Sequence, residues 1–105
     1  MRGELWMVAG GIYAGKPRPA LVIQNDAYDT GSVTVLPLTT TPLDAPLLHF
    51  PIEPASNNGL LLESWVMIDK ITTVRRSNLG QRLGRLSAAE VVQVNRLLAV
   101  FLGFG

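Results

Sequence analysis

The spacing of apolar residues changes once along this chain, near Ser87. Before that point they form short runs punctuated by Gly, Pro, Asn and Asp, the pattern of strands and turns. Leu5 to Val8 predicts a first strand, with Trp6 as a core or interface residue. Ala9 to Gly15 is a glycine-rich connection. Ala20 to Gln24 is nearly all apolar and predicts a strand buried on both faces. Asn25-Asp26 opens a polar turn that runs through Gly31. Val33 to Thr39, Leu47 to Ile52 and Trp65 to Ile68 predict further strands, the last preceded by the turn Asn57-Asn58-Gly59. Ile71 to Val74 and Gln81 to Leu86 predict shorter ones.

After Ser87 the period becomes helical. Ser87-Ala88-Ala89-Glu90 has capping-box spacing, so the serine accepts an otherwise unpaired N–H while the glutamate reaches back. Val91, Val94, Leu98 and Phe101 then recur on one face, and Gly103 supplies a stop. That stripe reads as core or dimer packing. Many short strands and one terminal helix predict a mainly β chain with a C-terminal helix, folded as a small, partly open barrel.

A length of 105 residues suits one domain over 1–105, and 48% hydrophobic with 16% charged residues makes it globular. No apolar run is long enough to span a membrane, and the start Met1-Arg2-Gly3-Glu4-Leu5-Trp6 has no signal-peptide core. Cysteine is absent, which excludes disulfides, thiolate metal sites and cysteine nucleophiles. A cytoplasmic location is the simplest expectation. Net charge is only +1, so no bulk basic surface announces nucleic acid. Positive charge is nevertheless grouped: Arg75, Arg76, Arg82 and Arg85 lie close together, Lys16 and Arg18 form a second group, and 70–85 contains no acid. One basic face and ordinary solvated hairpin surface account for this grouping equally well. The glycines of 9–15 match neither phosphate-loop pattern.

The candidate chemistry begins at Arg18, which stands between Pro17 and Pro19 just before an apolar strand. Proline fixes its own φ and pushes the preceding residue toward extended geometry, so the arginine is pinned. Its planar, permanently charged fork suits two-point contact with phosphate. Taken alone, the same stretch reads as a solvated arginine on a proline-marked edge.

Taken together, Arg2-Gly3-Glu4-Leu5-Trp6, the run 18–26 (Arg-Pro-Ala-Leu-Val-Ile-Gln-Asn-Asp), Val35-Leu36-Pro37-Leu38-Thr39 and Leu83-Gly84-Arg85-Leu86-Ser87 occur in an order that resembles the MazF/PemK family of toxin endoribonucleases. The resemblance covers essentially the whole chain. It implies an SH3-like barrel, a homodimer, and cofactor-free, metal-independent cleavage of single-stranded RNA. It also implies a cognate MazE-like antitoxin whose acidic C-terminal segment occupies the RNA groove. Arg18 matches the family's catalytic arginine and Thr39 its active-site threonine. Without the resemblance, Thr39 reads as one polar residue of the run Thr39-Thr40-Thr41 at a strand end.

Lys16, Tyr13, His49, Lys70, Arg75 and Arg76 are the expected RNA-binding residues. Tyr13, in the glycine-rich connection, is a stacking candidate and equally an ordinary loop tyrosine. His49 is the only histidine; its flanks Leu48 and Phe50 also fit a plain strand residue, so it is a groove candidate rather than a catalytic one. Trp65 fits core packing better than stacking. The chain departs from the family in two places. The connection Ala9–Pro17 is short and holds no carboxylate or amide, and Lys70 stands where relatives often have glutamine. Lysine favours phosphate contact over base-edge reading. A CcdB-like gyrase poison, to which the terminal Phe101-Leu102-Gly103-Phe104-Gly105 is loosely similar, gives the Arg18–Thr39 pair no role. A non-enzymatic SH3-like module requires an aromatic peptide groove, which 7% dispersed aromatics serve poorly.

Overall fold

Seven strands and one helix follow each other in the computed structural model, which describes residues 1–9 and 16–105. The strands are β1 (Glu4–Val8), β2 (Arg18–Val22), β3 (Ser32–Thr39), β4 (His49–Ile52), β5 (Ser64–Met67), β6 (Thr72–Arg75) and β7 (Leu79–Arg85). A short 3-10 helix, Arg76–Asn78, joins β6 to β7, and α1 spans Ala88–Leu102. Each strand expected from the sequence is present, shifted by one or two residues at its ends. The expected start of β2 moves most usefully: Arg18 opens the strand instead of preceding it. The extended geometry that its two prolines impose is already strand geometry, so pairing with β1 runs on to Arg18.

All pairings are antiparallel, in the order β4-β5-β3-β2-β1-β7, with β6 also on β3. β3 is the hub. One edge pairs with β2; on the other, Ser32 to Val35 pair with β6, and Leu38 and Thr39 pair with β5.

Alternation along these strands builds two cores. Leu5, Leu21, Leu36, Leu38, Val66 and Ile68 point to one side, where Val94 and Leu98 of α1 cover them. Val8, Ala20, Val22, Val33, Val35 and Val74 point to the other, with Trp6 and Leu79 packed against them. β2 is therefore buried on both faces, as its uniform apolar run requires.

The capping box of α1 forms as expected: the Glu90 N–H donates to Ser87 Oγ at 3.1 Å, and the Ser87 N–H donates to Glu90 Oε1 at 2.9 Å. Gly103, at φ 89°, closes the helix by donating to the Ala99 carbonyl at 3.0 Å. Phe101 lies beyond the covered part of the stripe and is exposed, together with Val100 and Leu102.

The loop 53–60 docks against β7. Asn58 is buried, and its Oδ1 accepts the Ala55 and Leu60 N–H groups while its Nδ2 donates to the Glu53 carbonyl at 2.9 Å. Gly59 sits at φ 71°, and a Cβ there would stand 2.2 Å from the Leu83 carbonyl oxygen. Only glycine satisfies both demands.

Candidate functional site

Strand register assembles the site. Ala20 faces Pro37, Leu21 faces Leu36, and Val22 faces Val35. The ladder ends at Ala20–Pro37, and its register extended by two residues carries Arg18 toward Thr39. Thr39 in turn faces Trp65, and Trp65 faces Pro51. Opposed residues of antiparallel strands share a face, so these four side chains form one row across four strands. Two residues along, His49 faces Met67 on that same face. Asp69 lies beyond β5, in the turn that the Lys70 N–H closes on the Met67 carbonyl at 3.2 Å.

Among the described residues, three side-chain polar atoms are buried and lack any hydrogen-bond partner: Arg18 Nε, His49 Nδ1 and Asp69 Oδ1. Arg18 and His49 alternate onto this face, and Asp69 lies in the turn after β5. An unsatisfied buried donor or acceptor costs about 1–3 kcal/mol, so each of these atoms gains from a partner that a bound group supplies. Thr39 is oriented for the same purpose. Its Oγ1 accepts the Thr41 N–H at 3.1 Å, which leaves the hydroxyl proton free to donate. Arg18 supplies a permanent positive fork beside that proton. Lys16 is exposed two residues before Arg18, and Lys70 is exposed with its Nζ 3.5 Å from Asp69 Oδ2.

The other expected basic residues go elsewhere. Arg75 faces Ser32, seven residues up β3 from Thr39, or roughly 23 Å at strand rise. It also alternates away from Val74, whose side chain enters the second core. Arg76 is spent on structure: Nε donates to the Thr30 carbonyl, Nη2 to the Tyr28 carbonyl at 3.5 Å, and Nη1 to Met1 Sδ at 3.4 Å. Asp29 lies 4.0 Å away, and the guanidinium helps line a cavity of about 410 Å³ with Met1, Gln24 and Tyr28. Arg82 donates to Glu4 Oε2 at 2.9 Å, pinning β7 to β1. The acid-free stretch 70–85 thus does not form one basic face. Tyr13 lies outside the described residues.

Sequence reasoning passed over Asp69. It lies in the turn after β5, where strand alternation gives no side-chain direction. Trp65, expected in the core, is half-buried in the row with Thr39. Its neighbours Ser64 and Val66 alternate inward instead.

Three carboxylates are perturbed outside the site; the hydrogen bond from the Arg2 N–H, at 2.9 Å, and the N-terminal ammonium hold Asp26 below the usual carboxylate range. Burial works to raise the Glu4 carboxyl, but hydrogen bonds from Trp6 Nε1, at 3.0 Å, and Arg82 outweigh it and hold Glu4 below the usual carboxylate range. Glu63 is pushed up, first by its hydrogen bond with Glu53. No helix among the described residues is long and apolar enough to cross a membrane.

Comparison with known proteins places this geometry. The family described as "PemK-like, MazF-like toxin of type II toxin-antitoxin system" matches residues 1–102. A probable endoribonuclease MazF of Mycolicibacterium smegmatis is 53% identical over 104 residues, 97% of this chain and 95% of that protein. Endoribonuclease MazF9 of Mycobacterium tuberculosis is 31% identical over 113 residues, covering 96% and 94%. Among solved structures, a mycobacterial endoribonuclease in complex with its cognate antitoxin superposes with a TM-score of 0.81 at 26% identity, covering 100% of this chain and 96% of that one. A family match over residues 1–102, joined to 53% identity over 97% of this chain, shows that this chain belongs to the PemK-like, MazF-like toxin family of type II toxin-antitoxin systems.

Proposed function

We propose that this protein is the toxin of a type II toxin-antitoxin pair and cuts single-stranded RNA without a metal ion. The observation that carries the reading is that Arg18 opens β2 and Thr39 ends the neighbouring β3, so the β2–β3 register, extended two residues beyond Ala20–Pro37, brings a fixed cation and a free hydroxyl proton to one face. RNA brings its own nucleophile. The 2′-oxygen attacks phosphorus as its proton leaves, the bond to the 5′-oxygen breaks, and that oxygen departs with a proton. The products are a 2′,3′-cyclic phosphate and a 5′-hydroxyl. Negative charge grows on the non-bridging oxygens; the Arg18 fork balances it, and Thr39 donates to one of those oxygens and holds the phosphate in line. Lys16, His49 and Lys70 extend the groove for the flanking strand.

The names of the relatives support the reading: two are described as endoribonucleases, and the superposed structure holds a cognate antitoxin. For this chain the corresponding partners are a second copy, which covers the exposed Val100, Phe101 and Leu102, and an antitoxin whose acidic segment competes with RNA for Arg18. An RNA substrate places the action in the cytoplasm. The test is incubation of the purified protein with single-stranded RNA, with and without EDTA. Cleavage to cyclic-phosphate ends is expected in both. Loss of cleavage on chelation would refute the metal-free step, and absence of cleavage in either condition would refute the ribonuclease assignment.

A further inference from the structure

Asn57-Asn58-Gly59 serves the fold as a turn, and its second link carries chemistry of its own. Glycine has no side chain to shield its nitrogen, so in an open chain the Gly59 nitrogen reaches the Asn58 side-chain carbonyl carbon. The Gly59 N–H loses its proton to a base, and the nitrogen bonds to Cγ. The Cγ–Nδ2 bond breaks, and the amide nitrogen takes up a proton from water and leaves as ammonia. Water then opens the cyclic imide at either carbonyl. One route leaves aspartate at 58. The other leaves isoaspartate, in which the side-chain carbon has become part of the backbone.

The folded chain opposes the first step. Asn58 is buried, its Oδ1 accepts the Ala55 N–H at 3.1 Å and the Leu60 N–H at 3.0 Å, and its Nδ2 donates to the Glu53 carbonyl at 2.9 Å. Attack makes this planar amide tetrahedral and expels the nitrogen that holds Glu53, so these bonds are lost together. The fold also excludes both products. Aspartate at 58 would bury a charge and set a carboxylate oxygen against the Glu53 carbonyl, acceptor to acceptor. Isoaspartate would lengthen a backbone that has no slack. A Cβ on Gly84 would lie 2.3 Å from the Asn57 carbonyl oxygen and 2.7 Å from the Asn58 carbonyl carbon.

The geometry points to Asn58–Gly59 as a site of self-modification that the fold holds shut. When the loop 53–60 opens, the link converts. The converted loop does not dock again, and the bond from the Arg85 N–H to the Asn57 carbonyl, 2.8 Å in the closed loop, is lost with it. The loop joins β4 to β5, so both strands lose their tie to β7.

The experiment incubates the whole protein at mildly alkaline pH, with and without enough urea to unfold it. Digestion and mass spectrometry then score the amide-to-acid change, and enzymatic methylation scores isoaspartate. Conversion at Asn58 is expected in urea and should be at least about tenfold slower in native buffer, where it waits on loop opening. Asn25, Asn57, Asn78 and Asn95 precede Asp, Asn, Leu and Arg and are internal controls that should change little in urea. After urea is removed, unconverted chains should refold, and converted ones should be missing from the folded fraction on size exclusion. Asn58→Asp should melt below wild type. Equal rates in the two buffers, or no preference for Asn58 in urea, would overturn the inference. So would a folded fraction that holds converted chains in the proportion loaded, or an Asn58→Asp variant that melts like wild type. None of these readouts involves RNA, so they stand or fall apart from the ribonuclease assignment.

Discussion

Thr39 ends β3 with its hydroxyl oxygen engaged by the Thr41 N–H at 3.1 Å. The contact fixes which way the hydroxyl proton can point. Replacing the hydroxyl by a methyl group keeps the shape and removes the donor. Thr39→Val should therefore fold normally and lose about 10²–10³ in single-turnover cleavage, the usual cost of one donor to a developing oxyanion. Arg18→Lys should not rescue Arg18→Ala, because a point charge does not reproduce the planar fork. Arg96→Ala, exposed on α1, is the control and should cleave like wild type. Full activity of Thr39→Val would remove Thr39 from the chemistry.

Arg76 and Arg18 look alike in the sequence and should behave oppositely in the test tube. Arg76 holds the Tyr28 and Thr30 carbonyls, so Arg76→Ala should lower stability by about 1–2 kcal/mol in urea unfolding. It should leave the salt dependence of RNA binding alone. Arg18→Ala should do the reverse, reducing the slope of log K against log salt by about one and barely moving the unfolding midpoint. Equal salt slopes for the two variants would show that Arg76 also touches phosphate.

Glu4 makes a pH-dependent clasp between β1 and β7. Its carboxyl lies below the usual range in the folded protein, because the hydrogen bonds from Trp6 and Arg82 outweigh burial. A depressed folded pKa adds stability above the unfolded value, and this is lost as pH falls through the folded one. The melting-temperature gap between wild type and Glu4→Gln should thus be full near neutral pH and shrink steadily below about pH 4. A gap that stays constant across that range would show that the clasp does not depend on the charge.

The strands and the capped helix were legible because one apolar period governs each of them. Ala20-Leu21-Val22 reads as a doubly buried strand, and Ser87 with Glu90 reads as a helix start; local chemistry decides both. What stayed hidden depends on pairing. Arg75, Arg76, Arg82 and Arg85 are neighbours in sequence, yet Arg75 leaves the site on β6, Arg76 turns into the corner after it, and Arg82 is claimed by Glu4. Nothing local to an arginine shows which carbonyl or carboxylate from a distant strand will reach it. Arg18 and Thr39 were found through the order of motifs along the chain. Their spacing alone gives no hint that the strands carrying them pair.

β3 pairs with β2, β5 and β6, and two of these partners follow it in the chain. During synthesis, Arg18 and Thr39 leave the ribosome long before Ser64–Met67 and Thr72–Arg75, which hold the far edge of β3. Strand pairing over such separations closes late, since the entropy of the intervening loop must be overcome first. The reactive pair is therefore complete as sequence well before it is rigid in space. A growing chain carries its own delay: the strand that ends in Thr39 gains its far edge only after β5 and β6 have been made.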